Sequence, residues 1–335
     1  MMRLHARSKA EVEGDFSRWY WAVQHKQSAR WSVLGNIGLI GVPSSAGAHG
    51  VGQEKAPQAL RRTGLVAAME HSGIKVTDLG DLPLALYQPG SLNRKQQNLA
   101  AVVDVALQVA ERVDEALTRR LTPLIVGGDC TITLGVVAGY LRHVANLGLL
   151  YFDGDIDLNT PETSHSGVFD SMGMAHMIGE GADALSHIGT RFPLMPDDHV
   201  VLFGFDPQEV ALWQWEALQQ RHMLCFPVSS LDGKATEVAK QALGQLEERS
   251  EAILVHFDVD SIDSADFPLA DFPHHNEGQS LIGALECLSV FCSSPKCSGL
   301  VLTEVNPDHD VDGSMLRTFT QLLVKAVTGE PIARH

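Results

Sequence analysis

Short apolar runs alternate with longer amphipathic segments along most of the chain. The runs fall at residues 36–42, 74–78, 123–126, 148–152, 200–203, 223–226, 252–257 and 298–303. Each is a few residues long and mostly apolar, as expected of strands covered on both faces of a parallel sheet. Between them lie segments with helical spacing, at residues 56–69, 94–119, 131–143, 207–221, 235–248, 280–291 and 314–327. Strand followed by helix, repeated about eight times, predicts one α/β domain. The expected architecture has three layers, α/β/α, around a mostly parallel sheet of about eight strands. No linker rich in Gly, Ser or Pro divides residues 31–335, and no internal repeat is visible. Residues 1–30 stand outside the alternation and read as an N-terminal arm. Its aromatic run, Trp19, Tyr20 and Trp21, could pack on the chain's own core or on a partner.

Composition narrows the function classes. The 335 residues carry 41 acidic and 25 basic side chains, a formal net charge of −16. That balance argues against non-specific nucleic-acid binding, which needs clustered Lys and Arg. It argues equally against an anionic membrane surface. The five cysteines, Cys130, Cys225, Cys287, Cys292 and Cys297, are odd in number and show no Cys-x2-Cys spacing. This usage fits a reducing compartment better than a disulfide framework. Neither a signal-peptide core nor a continuous apolar stretch of membrane-spanning length is present, so a cytoplasmic protein is expected.

In open parallel sheets ligands bind beyond the carboxyl ends of the strands. Asp153-Gly154-Asp155-Ile156-Asp157 follows the run at 148–152 directly. If the extended conformation continued, three carboxylates would share one face. Adjacent like charges raise each other's pKa unless a cation compensates, and a metal is the simplest cation. A solvated acidic turn would carry the same residues. The pattern recurs after 252–257 as Asp258-Val259-Asp260, with Asp263 just beyond. Two strand ends with alternating aspartates fit a site for hard cations better than solvation alone. The run at 123–126 leads into Gly127-Gly128-Asp129-Cys130-Thr131, a tight turn in which Asp129 could be a helix cap. The last run leads into Glu304, which could enter the same region or lie on the surface before Pro307.

These motifs resemble the arginase/agmatinase (ureohydrolase) family. The resemblance runs from about Asn36 to Val327. It rests on Gly41-Val42-Pro43 with Gly47, Gly50, Ala56-Pro57 and Leu60-Arg61, and on Gly127-Gly128-Asp129. It continues through Asp153-x-Asp155-x-Asp157-Leu158-Asn159-Thr160-Pro161, Ser166-Gly167 and Gly204 with Asp206-Pro207-x-Glu209. Phe257-Asp258-Val259-Asp260 and Glu304-Val305-Asn306-Pro307 complete it.

The resemblance implies hydrolysis of a guanidino or amidino C–N bond by a hydroxide bridging two Mn²⁺ ions, in a trimer or hexamer. By resemblance Asp153 and Asp258 would bridge the metals, Asp157 would serve the first and Asp260 the second. Glu304 would hold the guanidinium, and Asn159, Ser166, Asp206 and Glu209 would contact the rest of a small guanidino substrate. Three positions depart from the family pattern. Cys130 and Asp155 stand where the family has its two ligand histidines, and Asp170 stands near the place of a shuttle histidine. An extra carboxylate makes the shell more negative and disfavours a bound hydroxide. A thiolate at Cys130 suits softer ions than Mn²⁺; Cys130 could instead be a neutral buried thiol. His165 and His176 could supply an imidazole, or be a loop and a helix-face histidine. Two main functional readings follow: a metal-dependent hydrolase with Asp155, Asp170 and Glu304 near the chemistry, and a non-catalytic relative holding a single metal. A different C–N hydrolase on the same scaffold is the third.

Overall fold

The computed structural model describes residues 36–88, 93–271 and 278–332. The arm and its aromatic run lie outside the described residues. Eight strands are present: β1 (Asn36–Val42), β2 (Lys75–Asp81), β3 (Thr122–Gly127), β4 (Leu147–Phe152), β5 (Val200–Phe203), β6 (Leu224–Phe226), β7 (Ala252–Asp258) and β8 (Cys297–Thr303). They form one sheet in the order β2-β1-β3-β8-β7-β4-β5-β6. Every neighbouring pair is parallel, so the sheet is wholly rather than mostly parallel.

Ten helices occur among the described residues: α1 (Ala56–Arg62), α2 (Leu65–His71), α3 (Leu99–Thr118), α4 (Ile132–Tyr140), α5 (Gly173–Met177), α6 (Asp183–Ser186), α7 (Leu212–Gln219), α8 (Ala235–Glu247), α9 (Leu281–Cys292) and α10 (Ser314–Thr328). The segment expected as one helix at 56–69 is two, because Gly64 adopts φ 91° and breaks it. The helix expected from residue 94 starts at Leu99, after Asn98 turns left-handed at φ 59°. The one expected from residue 207 starts at Leu212. No helix among the described residues is long and apolar enough to cross a membrane.

The two-residue period of the strands sorts side chains into two apolar layers. In β7, Ile253, Val255 and Phe257 pack with Leu246 of α8, Leu288 and Phe291 of α9 and Phe319 of α10. Leu254 on the other face joins Leu149 and Tyr151 of β4, Val109 of α3 and Val137 of α4. The result is a three-layer α/β/α sandwich. Its central strands, β3, β8, β7 and β4, are adjacent although β7 and β8 come last in the chain. The chain thus leaves β3, skips two strand positions and returns at β4. The crevice beyond this switch is where a doubly wound sheet binds ligands.

Candidate functional site

Four adjacent strand ends deliver the acidic residues. Asp258 is the last residue of β7 and lies level with Thr303 of β8. Asp153 follows β4 and continues the face of Leu149 and Tyr151. Backbone amides orient these carboxylates. Asp155 N donates to Asp153 Oδ1 at 2.8 Å, Asp260 N to Asp258 Oδ1 at 2.9 Å, and Gly154 N to Asp260 Oδ1 at 3.0 Å. The last bond ties the two aspartate segments together. At the third strand end, a Cβ on Gly128 would overlap the Ser44 carbonyl. Glycine there lets Asp129 N reach Ser44 O and lets Gly128 O accept from Glu304 N at 3.0 Å.

Asp153, Asp155, Asp157, Asp258, Asp260, Glu304, Cys130 and Asp170 all line one pocket of about 90 Å³, together with His49 and Ser171. The three aspartates after β4 do not reach it as an extended ladder. Strand pairing stops at Phe152, and Asp157 turns left-handed at φ 50°. Glu304 does the same at φ 63°. Such backbones are uncommon for residues with a side chain and gather at functional sites. Asp157 Oδ2 accepts a 2.5 Å hydrogen bond from the Tyr151 hydroxyl.

One group at the pocket is compact: Cys130, Asp153 and Asp258 line it, and His256 reaches Cys130 and Asp153 from β7 without lining it. Cys130, Asp153, His256 and Asp258, all buried, each offer a donor atom, and these atoms lie within 4.8 Å of one another. Cys130 Sγ is 3.6 Å from Asp153 Oδ2 and 3.6 Å from His256 Nε2, and its thiol contacts Asp258 Oδ2. A second group, Cys130, Asp170 and Glu304, shares the sulfur.

Sequence reading missed His256, because it sits inside an otherwise apolar strand. The signal was available: His256 precedes Asp258 by two residues, so the strand period puts both on one face. Its ring stacks on Tyr151 with centroids 4.1 Å apart, and its Nδ1 lies 2.8 Å from Thr133 Oγ1.

Carboxyl groups crowd the pocket. Neither Lys nor Arg lines the pocket among the described residues. Burial pushes the carboxyl groups of Asp153 and Asp258 well above the usual range, and the charge of Asp260 adds to it. Asp157 and Asp170 shift the same way, through burial and then through Asp153 and Asp129 respectively. Glu304 is raised by burial and by Asp170, and both its carboxylate oxygens lack a hydrogen-bond partner among the described residues. Burial and Asp258 raise the Cys130 thiol. Burial lowers His256 to about 3, so its imidazole is neutral. Buried polar groups ordinarily find partners, and a buried carboxylate without one among the described residues suits a cationic ligand.

Asn159, Ser166, Asp206 and Glu209 are not among the residues lining this pocket. Asn159 N donates to Ser171 O, Ser166 Oγ accepts from Val168 N, and Asp206 N donates to Gly154 O at 2.9 Å. His165 is exposed. His176 is buried with Nδ1 against Met172 O and Nε2 accepting from Ala182 N, so both ring nitrogens are used by the backbone. Asp129 accepts from Ser44 Oγ, Gly47 N and Thr131 N, which fastens the turn.

The arginase family model matches residues 35–329. The chain belongs to the arginase family. It is 31% identical over 285 residues to the arginase of Bacillus caldovelox, covering 82% of this chain and 92% of that one. It is 29% identical over 295 residues to the arginase of Brevibacillus brevis, covering 86% and 96%. The solved native structure of the Bacillus caldovelox arginase superposes with a TM-score of 0.80 at 27% identity, covering 89% of this chain and 100% of that one. Membership makes this a protein of the ureohydrolase kind. Arginase-family proteins use a binuclear metal site, usually Mn²⁺, and the residues here fit that pair only in part. Asp153 and Asp258 converge as a bridging pair would require. Neither Asp157 nor Asp260 joins the compact group, whose remaining donors are a thiol and an imidazole. The compact group suits one divalent ion, and its thiol makes it softer than a shell of carboxylates and imidazoles.

Proposed function

We propose that this chain hydrolyses the C–N bond of a small cationic guanidino or amidino compound held by the carboxylates of this pocket. The observation that carries the reading is Glu304. Its two buried oxygens have no partner among the described residues, and it faces a pocket without Lys or Arg. A planar guanidinium presents paired N–H donors that match a carboxylate fork. Its single positive charge would balance Glu304, with Asp170 close by. A divalent ion held beside Cys130 supplies the acidity that water needs to react at neutral pH. Hydrolysis adds the water oxygen to the central carbon, breaks the bond to the substrate amine and returns a proton to that nitrogen. Asp170, raised by burial, is suited to hold that proton. Asp155 lines the same pocket and is a second candidate for proton handling.

One observation favours a second reading, a non-catalytic relative that binds one ion. Cys130 and Asp155 replace two imidazoles, and the Tyr151 hydroxyl engages Asp157. Incubating metal-loaded protein with a panel of guanidino and amidino compounds separates the two. Release of urea or amine, lost in Glu304→Gln by at least a hundredfold (about 3 kcal/mol at the transition state), is the expected outcome. No release with any compound and any divalent ion would overturn the guanidino hydrolase and favour the second reading.

A further inference from the structure

The compact group at the pocket floor differs from what family membership implies, and the difference has a chemistry of its own. His256 Nε2 is 3.4 Å from Asp153 Oδ2 and 3.6 Å from Cys130 Sγ, and Cys130 Sγ is 3.6 Å from Asp153 Oδ2. An ion with tetrahedral bonds of about 2.0 Å to N and O and about 2.3 Å to S has donor-to-donor edges of about 3.3–3.6 Å. Three separations therefore already match the edges of such a shell. Asp258 Oδ2, nearer the same sulfur than such an edge and 3.0 Å from Thr303 Oγ1, would be the fourth donor once the thiol proton is lost and the two atoms draw apart around an ion.

The shell is oriented from outside as ligand shells are. Thr133 Oγ1 engages His256 Nδ1 at 2.8 Å and Tyr151 stacks on the ring. With Nδ1–H donating to Thr133, the lone pair of Nε2 faces the sulfur and the carboxylate. Asp260 N and Asp155 N hold the outer oxygens of Asp258 and Asp153 at 2.9 and 2.8 Å. Independently, Glu304 lines the same pocket with two buried oxygens that have no partner among the described residues, which marks it as built for a cationic ligand.

We infer that the pocket floor is a mononuclear site for a borderline-soft divalent ion such as Zn²⁺ or Fe²⁺, ligated by Cys130 Sγ, His256 Nε2, Asp153 and Asp258. Thiolate and imidazole select such ions over Mn²⁺ or Mg²⁺. His256 replaces, from inside β7, an imidazole that the chain lacks at positions 130 and 155. Asp157, Asp260 and Asp155 then line the pocket without joining the shell. This deepens the proposed function, resting on its reading that the pocket holds a divalent ion. It narrows the cation to one per chain and leaves Asp170 and Glu304 to the substrate.

The test uses full-length protein stripped of metal and titrated with Co²⁺, with bound Zn²⁺ and Mn²⁺ measured by elemental analysis. One Co²⁺ per chain is expected, with an intense thiolate-to-cobalt charge-transfer band. Cys130→Ser should remove the band, and His256→Gln should weaken Co²⁺ binding at least tenfold. Thr133→Val keeps all four donors, guards against variants that fail to fold, and should lower affinity about 10–100-fold. Two equivalents of metal per chain, a folded protein without the band, or a band unchanged in Cys130→Ser would overturn the assignment. Turnover is scored separately. Urea release by a two-metal protein without the band sinks this inference and keeps the hydrolase. A one-metal, thiolate-ligated protein that releases no urea does the reverse.

Discussion

Glu304 combines a left-handed backbone, burial and two oxygens unpaired among the described residues. Each of these costs stability, and an unsatisfied buried group alone costs about 1–3 kcal/mol. Its amide counterpart removes the charge at nearly the same volume. In metal-free protein Glu304→Gln is expected to raise stability by about 1 kcal/mol while destroying affinity for a guanidinium compound. Thermal unfolding with chelator present, alongside calorimetric titration with a guanidino ligand, checks both halves. A loss of stability would mean that Glu304 has a structural partner. At this scale the sequence was uneven to read. Asp153, Asp258 and Glu304 stood out as charges directly after apolar runs. His256 was hidden, because a lone histidine among Ile253, Leu254, Val255 and Phe257 looks like one more core position. Only its two-residue offset from Asp258 marks it.

Elements were legible wherever burial sets them. β1 and β5 span the residues that the apolar pattern predicts, since strands covered on both faces have no polar positions to blur their ends. Breaks that depend on a single backbone angle, at Gly64 and Asn98, were not legible. The turn at Asp157 belongs with them, and it sets how the third aspartate enters the pocket. One inter-element contact gives a prediction with a sign. Arg61 of α1 reaches Asp78 of β2 with Nε at 2.8 Å and Nη2 at 2.9 Å, and Asp81 with Nη1 at 2.5 Å. The guanidinium holds the Asp78 carboxyl below its ordinary value. A carboxyl with a depressed folded pKa adds stability above the unfolded value, and that stability is lost as pH falls through the folded one. Arg61→Ala is therefore expected to cost about 0.5–1 kcal/mol at neutral pH, a figure reduced for solvent screening. The difference from the parent should vanish in acid. Urea unfolding of both proteins across pH measures it, and a gap that persists in acid would assign the loss to packing of the Arg61 stem.

At the scale of the whole molecule the three-layer class followed from alternation, but the strand order did not. β7 and β8 insert between β3 and β4 through pairings more than a hundred residues apart, which no local pattern encodes. That insertion is what gathers Cys130, Asp153, Asp258 and Glu304 from distant segments. It also concentrates part of the −16 net charge in one pocket, where neighbouring carboxylates disfavour one another's ionised form unless a cation binds. Binding to the folded chain alone stabilises it by about 2.7 kcal/mol at a hundredfold excess over Kd. For a chain of this size that corresponds to a rise in Tm of roughly 5 °C. Zn²⁺ and Co²⁺ should give this rise in stripped protein, and Mg²⁺ at equal concentration much less, because it prefers oxygen ligands and keeps its water. Scanning calorimetry with each ion decides the matter. Equal shifts for Mg²⁺ and Zn²⁺ would mean that carboxylates alone hold the ion, with the Cys130 sulfur and the His256 imidazole outside its shell.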